Sequence, residues 1–243
     1  MRRLGPVGPL LAALLVSLLG ACSKPSEKPL TVFAAASLGD VLPRMVQGFD
    51  DEVQFSFAAS LTLANQMRHG MPADLLISAS PRALEVVPGE HWTFASNRLV
   101  IAVSRPELAE SDGWPERLLR LERVAIGTPG VAPVGDYALA GLEEVGLDLG
   151  QRLIPTANAR AALASTLQGA TDAALVYASD AAAQGDARVV FTFPPLDPPI
   201  EYVLILPEGA SPRARALADF LRGPQASQKL EEAGFLRPET GLP

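Results

Sequence analysis

Short apolar runs alternate with helical patterns along most of this chain. Residues 31–36, 53–58 and 74–78 are apolar runs of strand length. Between the first two, Leu38, Val41, Leu42, Met45, Val46 and Phe49 recur at helical spacing, which predicts one helix over 38–49 with a single buried face. Pro43 falls in its first turns, where proline is tolerated. A second helix is predicted over 61–69, stopped by Gly70, and a short one over 81–87. This βαβ repetition implies a parallel sheet covered by helices on both faces. Residues 98–104 form a strand with no comparable helix behind it, and 105–113 read as loop, the passage into a second lobe. There the pattern predicts strands at 123–126, 173–177 and 188–193 and helices at 136–145 and 159–168. A proline-rich loop, 194–199, precedes an apolar strand at 201–206 that serves as the return crossing. Helices at 211–221 and 225–233 then pack back on the first lobe. No internal repeat or low-complexity tract is present.

Two serines stand where a strand gives way to a helix. Ser37 ends the run Thr31-Val32-Phe33-Ala34-Ala35-Ala36, and Ser60 ends Phe55-Ser56-Phe57-Ala58-Ala59. A helix start has unpaired N–H groups and a partial positive charge, and a hydroxyl beside it adds one donor. Two such turns suggest a binder of a small oxyanion held by neutral dipoles. Each serine could instead simply cap its helix, with Asp40 three residues after Ser37 giving a capping-box pattern.

The first 21 residues read as a leader and are set aside from the fold. Arg2 and Arg3 form a charged start, and an apolar stretch too short to span a bilayer follows. Leu19-Gly20-Ala21-Cys22 resembles the bacterial lipobox, which would make Cys22 the lipidated first residue of the mature protein. Cys22 is the sole cysteine, so no intrachain disulfide can form. Residues 22–29 read as a polar tether. The expected location is the extracytoplasmic face or periplasm, anchored to a membrane by lipid on Cys22. Roughly 220 residues remain, enough for two small lobes. The net charge of −7 includes the leader arginines and argues against nucleic acid as a partner. It does not exclude a small anion, because amide dipoles in a closed cleft outweigh diffuse, screened surface charge.

The ordered motifs resemble the periplasmic molybdate-binding proteins of ABC importers. They are Val32-Phe33-Ala34-Ala35-Ala36-Ser37-Leu38, then Phe57-Ala58-Ala59-Ser60 with Leu63-Ala64-Asn65-Gln66, then Gly70-Met71-Pro72-Ala73-Asp74-Leu75-Leu76-Ile77-Ser78-Ala79. Asn97-Arg98-Leu99-Val100 is similar to the family's crossover strand. Ala125-Ile126-Gly127-Thr128-Pro129, Pro133-Val134-Gly135-Asp136-Tyr137-Ala138 and Ala174-Leu175-Val176-Tyr177-Ala178-Ser179-Asp180-Ala181 follow in order, then Gly223-Pro224-Gln225-Ala226 and Gly234-Phe235. The resemblance implies an α/β, two-lobed periplasmic-binding-protein-like fold of type II, with the ligand in a cleft between lobes joined by hinge strands. It places 30–98 with 205–243 in lobe 1 and 99–204 in lobe 2. Carried over by position, the oxyanion contacts are the hydroxyls and amides of Ser37 and Ser60, the backbone N–H groups of Val134 and Ala159, and the hydroxyl of Tyr177. The implied ligand is molybdate, with tungstate beside it, and the implied partner is a membrane permease. The protein is expected to be a monomer, without a cofactor and not an enzyme. The sequence departs from the family in a serine-rich turn thinned to Ala58-Ala59-Ser60-Leu61, a short loop at 87–92, and a turn at 128–133 that lacks acidic and histidine residues.

Ligand chemistry narrows the candidates. Molybdate carries no proton near neutral pH, so its site should offer donors only, and the five candidate positions contain no carboxylate. Phosphate keeps a proton and gains from an acceptor. Asp180 is the nearest candidate for one and is expected to cap the helix after Tyr177. Sulfate is also a bare dianion and stays open as an alternative. Arg160 is expected to point outward. His69 and His91 lie on a helix end and in a loop, without metal-ligand spacing. Trp92 and Trp114 are expected to pack at loop edges. A serine hydrolase using Ser37 or Ser60 lacks the G-x-S-x-G elbow and a placed histidine base. A lipid-anchored interaction protein would not explain donor-rich turns in both lobes.

Overall fold

The computed structural model describes residues 27–238, so the leader, Cys22 and most of the tether lie outside the described residues. Among the described residues, ten strands form two five-stranded sheets. The strands are β1 (Leu30–Ala35), β2 (Val53–Ala58), β3 (Leu75–Ser78), β4 (Gly89–Ser96), β5 (Leu99–Val103), β6 (Val124–Gly127), β7 (Leu153–Thr156), β8 (Ala173–Tyr177), β9 (Arg188–Thr192) and β10 (Glu201–Pro207). The first sheet has the order β2-β1-β3-β10-β4 and the second β7-β6-β8-β5-β9. In each, three parallel strands are flanked by two that run antiparallel to their neighbours.

Both sheets are covered on both faces, as the continuous apolar runs require. In the first sheet Val32, Ala34, Leu75, Ile77, Leu204 and Leu206 face one side, while Phe33, Leu76, Val203 and Ile205 face the other. The helices are α1 (Leu42–Met45), α2 (Ser60–Arg68), α3 (Pro106–Ala109), α4 (Pro133–Glu144), α5 (Ala159–Leu167), α6 (Ala178–Ala182), α7 (Pro212–Leu221) and α8 (Pro224–Glu232). Leu63 and Ala64 of α2 cover one face of the first sheet, and Leu217 and Leu221 of α7 the other. In the second sheet Ala162 and Leu163 of α5 lie on one face, and Ala138 and Leu142 of α4 on the other.

Several elements depart from expectation, among them α3, a single helical turn within residues 105–113, which were expected as loop. The helix expected over 38–49 is a 3-10 turn (Ala36–Leu38), then the single turn of α1. Pro43 has no N–H for the carbonyl four residues back, so a continuous helix cannot pass Gly39. The apolar residues Leu38, Val41, Leu42 and Met45 are nevertheless all buried. Residues 87–92 were expected as a short loop ahead of the crossover; instead 89–96 form edge strand β4. Its register against β10 shifts between Tyr202 and Val203, which disrupts the alternation that marks a strand. Strand β7 contains Pro155, which only an edge position tolerates, and it pairs with β6 alone.

The chain crosses between the sheets twice, at residues 97–98 and 193–200. The crossings are tied side by side by Asn97 N–H to Ile200 O (3.1 Å) and Ser96 Oγ to Ile200 O (2.9 Å). Strand β10 pairs with the first sheet along its whole length, from Glu201 to Pro207. The return to the first sheet is therefore complete by Glu201, ahead of the expected boundary at 204/205.

Candidate functional site

A cavity of ≈ 20 Å³ lies between the two sheets, far below the roughly 300–1,000 Å³ of sites for organic ligands. It is lined by the turns that follow six parallel-sheet strands: β1, β2 and β3 on one side, β6, β7 and β8 on the other. The carboxyl ends of parallel strands are where α/β sheets place ligands. All five sequence-predicted residues, Ser37, Ser60, Val134, Ala159 and Tyr177, line this one cavity. Among the described residues, no acidic or basic side chain lines it.

Three helix starts converge here. Ser60 is the first residue of α2, Val134 the second of α4 and Ala159 the first of α5. Amides at these positions have no carbonyl within their own helix to bond and point out of its end. The start of α4 is seated by close backbone approach. A Cβ on Gly135 would lie 2.1 Å from the Gly127 carbonyl oxygen, so only glycine lets the helix sit this tightly on the end of β6. The helix also begins three residues earlier than its apolar pattern suggests, with Pro133 at the first position. That extension puts the Val134 amide in the first turn.

The serines are set up as donors. Neither side chain caps its own helix. Ser60 Oγ accepts from the Ala79 N–H at 2.9 Å, which leaves the hydroxyl proton to be donated elsewhere. Ser37 Oγ lies 2.8 Å from the Tyr202 hydroxyl, and both are buried. The Tyr177 hydroxyl is buried and has no hydrogen-bond partner among the described residues. Burial pushes its pKa well above the usual phenol value, so it stays a donor. A buried, unpartnered donor is costly to a protein unless it serves a ligand.

Arg160 and Asp180 differ from expectation. Arg160, one residue into α5, turns inward and spans the cleft. Its Nη1 lies 2.6 Å from Asp40 Oδ2, and its Nη2 donates to the Ser37 carbonyl at 3.3 Å. Its Nε lies 2.8 Å from Asp180 Oδ1, an ion pair whose angles fall short of a hydrogen bond. Asp180 is not a cap: Tyr177 holds the cap position, and Asp180 lies fully buried in the first turn of α6. Desolvation raises its pKa to about 7, against the lowering effect of Arg160. Sequence reasoning missed Arg160 because its partners come from both lobes, and helical position alone gives no sign of either. A second pair across the cleft, Arg82 and Asp136 (3.0 Å), is solvent-exposed and contributes little. His69 and His91 are exposed, and no group of residues fit to hold a metal occurs among the described residues.

The arrangement suits a small, fully ionised oxyanion, with hydroxyls and helix-start amides as donors and no carboxylate to repel it. The model of the bacterial extracellular solute-binding protein family matches residues 30–236. The molybdate-binding protein ModA of Escherichia coli (strain K12) is 33% identical over 230 residues, covering 86% of this chain and 89% of that protein. The periplasmic molybdate-binding protein of Azotobacter vinelandii superposes with a TM-score of 0.76 at 23% identity, over 86% of this chain and 100% of its own. The sulfate-binding protein SubI from Mycobacterium tuberculosis H37Rv superposes with a TM-score of 0.69 at 19% identity, over 88% of each chain. These two structural likenesses establish the two-lobed solute-binding fold.

Proposed function

The chain belongs to the bacterial extracellular solute-binding protein family, a family of transport proteins and not of enzymes, and from that premise we propose that it captures molybdate, with tungstate, for an ABC importer. The observation that carries this reading is the small cavity at six strand ends, lined by hydroxyls and helix-start amides and, among the described residues, by no charged side chain. In this reading Ser37, Ser60 and Tyr177 donate from their hydroxyls, the serines also from their amides, and Val134 and Ala159 from their amides alone. Each charge-assisted hydrogen bond contributes on the order of 1.5–3 kcal/mol. About seven such bonds, offset by desolvation and by the cost of closing the lobes, are compatible with tight binding. Molybdate is cargo here, bound through its oxygens. Lobe closure gives a membrane permease a form in which both lobes are presented together. Cys22 carries the lipid that holds the protein at the extracytoplasmic face of a membrane, and residues 22–29 are the tether.

The test is thermal unfolding of the form that begins after Cys22, with molybdate, tungstate, sulfate and phosphate in turn. A ligand at about 100 times its dissociation constant stabilises the fold by roughly 2.7 kcal/mol, several degrees in midpoint. A shift with molybdate and tungstate is the expected result. A shift with sulfate alone would keep the oxyanion site and change its cargo, and no shift with any of the four would overturn the reading.

A further inference from the structure

Behind Ser37 lies a chain of buried hydrogen bonds that reaches the hinge. Tyr202 is wholly inaccessible, and its hydroxyl is 2.8 Å from Ser37 Oγ. On its other side is Asn97 Nδ2, at 3.4 Å. Asn97 is the first residue of the crossing between β4 and β5, and its side-chain orientation is set from several directions. Its Oδ1 accepts from the Arg98 N–H at 2.9 Å and the Ser179 N–H at 3.5 Å, and its Nδ2 donates to Ser179 Oγ at 2.8 Å. The amide nitrogen therefore faces Tyr202, and the phenol oxygen receives a proton from the hinge side. Among the described residues, the Tyr202 proton then has one acceptor in hydrogen-bond range, Ser37 Oγ. Burial holds the Tyr202 pKa well above the ordinary phenol range, so that proton is always present.

We propose that Tyr202, oriented by Asn97, is a positioning residue that turns the Ser37 hydroxyl proton into the cavity and so biases the site toward oxyanions that carry no proton. This rests on the reading of the site as an oxyanion site. A serine oxygen that already accepts from Tyr202 presents its own proton as its outward-facing group. An oxyanion that still holds a proton needs an acceptor at some point of its shell, and Ser37, with one of its two lone pairs taken by Tyr202, meets the cavity with its proton first. Ser60 is set in the same sense by the Ala79 N–H, a backbone donor that no substitution short of proline removes. At Ser37 the same function falls to a side chain, and it can be deleted.

Sulfate and phosphate are close in size and differ in protonation near pH 7, so their ratio isolates the effect. Calorimetric titration with molybdate, followed by competition with sulfate and with phosphate, is run on the wild type, Tyr202→Phe, Asn97→Asp and Ser37→Ala. Tyr202→Phe removes the donor behind Ser37 and is expected to weaken molybdate and sulfate about tenfold while phosphate changes little, narrowing the sulfate-to-phosphate preference by about tenfold. Asn97→Asp offers Tyr202 an acceptor in place of a donor, which reverses the chain and is expected to narrow the preference as well. It also serves if Tyr202→Phe does not fold. Equal weakening of sulfate and phosphate in both variants would reduce Tyr202 to a packing role and overturn the proposal. A wild type that binds none of the three anions would overturn the functional reading. Binding that Ser37→Ala leaves intact would remove Ser37 from the site, and the proposal with it.

Discussion

Tyr177→Phe deletes one oxygen atom and is expected to move stability and affinity in opposite directions. The ring packs edge-on against Tyr137 and Tyr202, with centroids 6.4 and 5.8 Å away, and phenylalanine keeps both contacts. The deleted hydroxyl is in a residue only 2% exposed and has no partner among the described residues. In the ligand-free protein its removal relieves an unsatisfied buried polar group, a gain of about 1 kcal/mol at the low end of the range for such groups. For a chain of this size that raises the unfolding midpoint by roughly 2–4 °C. With molybdate bound, the same deletion removes one charge-assisted donor, about 1.5–3 kcal/mol, which weakens binding about 10- to 150-fold. Differential scanning calorimetry without ligand gives the first quantity, and isothermal titration with molybdate gives the second. A variant with a lower ligand-free midpoint and an unchanged dissociation constant would show that the hydroxyl has a structural partner and no ligand, and the reasoning would fail.

Three further outcomes are expected. Ser60→Ala should weaken molybdate binding and also lower ligand-free stability by about 1–3 kcal/mol, because the Ala79 N–H loses its buried acceptor; urea unfolding would separate it from Tyr177→Phe. Gly135→Ala should cost about 3 kcal/mol or more and displace the Val134 amide, since the added Cβ meets a backbone carbonyl; unchanged stability and affinity would show that α4 is not held by this approach. Asp180 should make stability depend on pH. Its folded pKa is about 7 against 3.8 for the free side chain, so between about pH 4 and 7 the folded chain keeps a proton that the unfolded chain has released. Stability therefore falls as pH rises through that window, by on the order of 4 kcal/mol, and then levels off. Asp180→Asn should flatten the slope in urea titrations from pH 4 to 8, and an identical slope would contradict the assignment.

Two of the five candidate residues could be picked out from local pattern. An apolar run that ends in Ala-Ala-Ser before a helical pattern already specifies a buried strand, an abrupt helix start and a hydroxyl at the junction. Ser37 and Ser60 stood out as candidates in that way, whereas Tyr177 by itself reads as a core residue and entered through the family resemblance. Val134 and Ala159 bring only backbone amides, so no side chain announces them, and the family resemblance supplied them. The strands β4 and β7 were obscure because a register shift and a proline disrupt the periodicity that a sequence window detects. The single long helix expected after β1 was a false reading of correct burial: its apolar positions are all in contact with the core, on a backbone that Pro43 interrupts.

By itself, the sequence determined the alternation of strand and helix, the two groups of strands, and the donor character of the turns between them, because each depends on neighbours within a few residues. The tertiary structure decided which turns meet. It brought six strand ends to one cavity, ran Arg160 from α5 to Asp40 and Asp180, and set Asn97 behind Tyr202 and Tyr202 behind Ser37. Those partners are separated by tens to more than a hundred residues, with 165 between Ser37 and Tyr202. Only the folding of two sheets against each other, across a hinge, places one hydroxyl where it directs the proton of another.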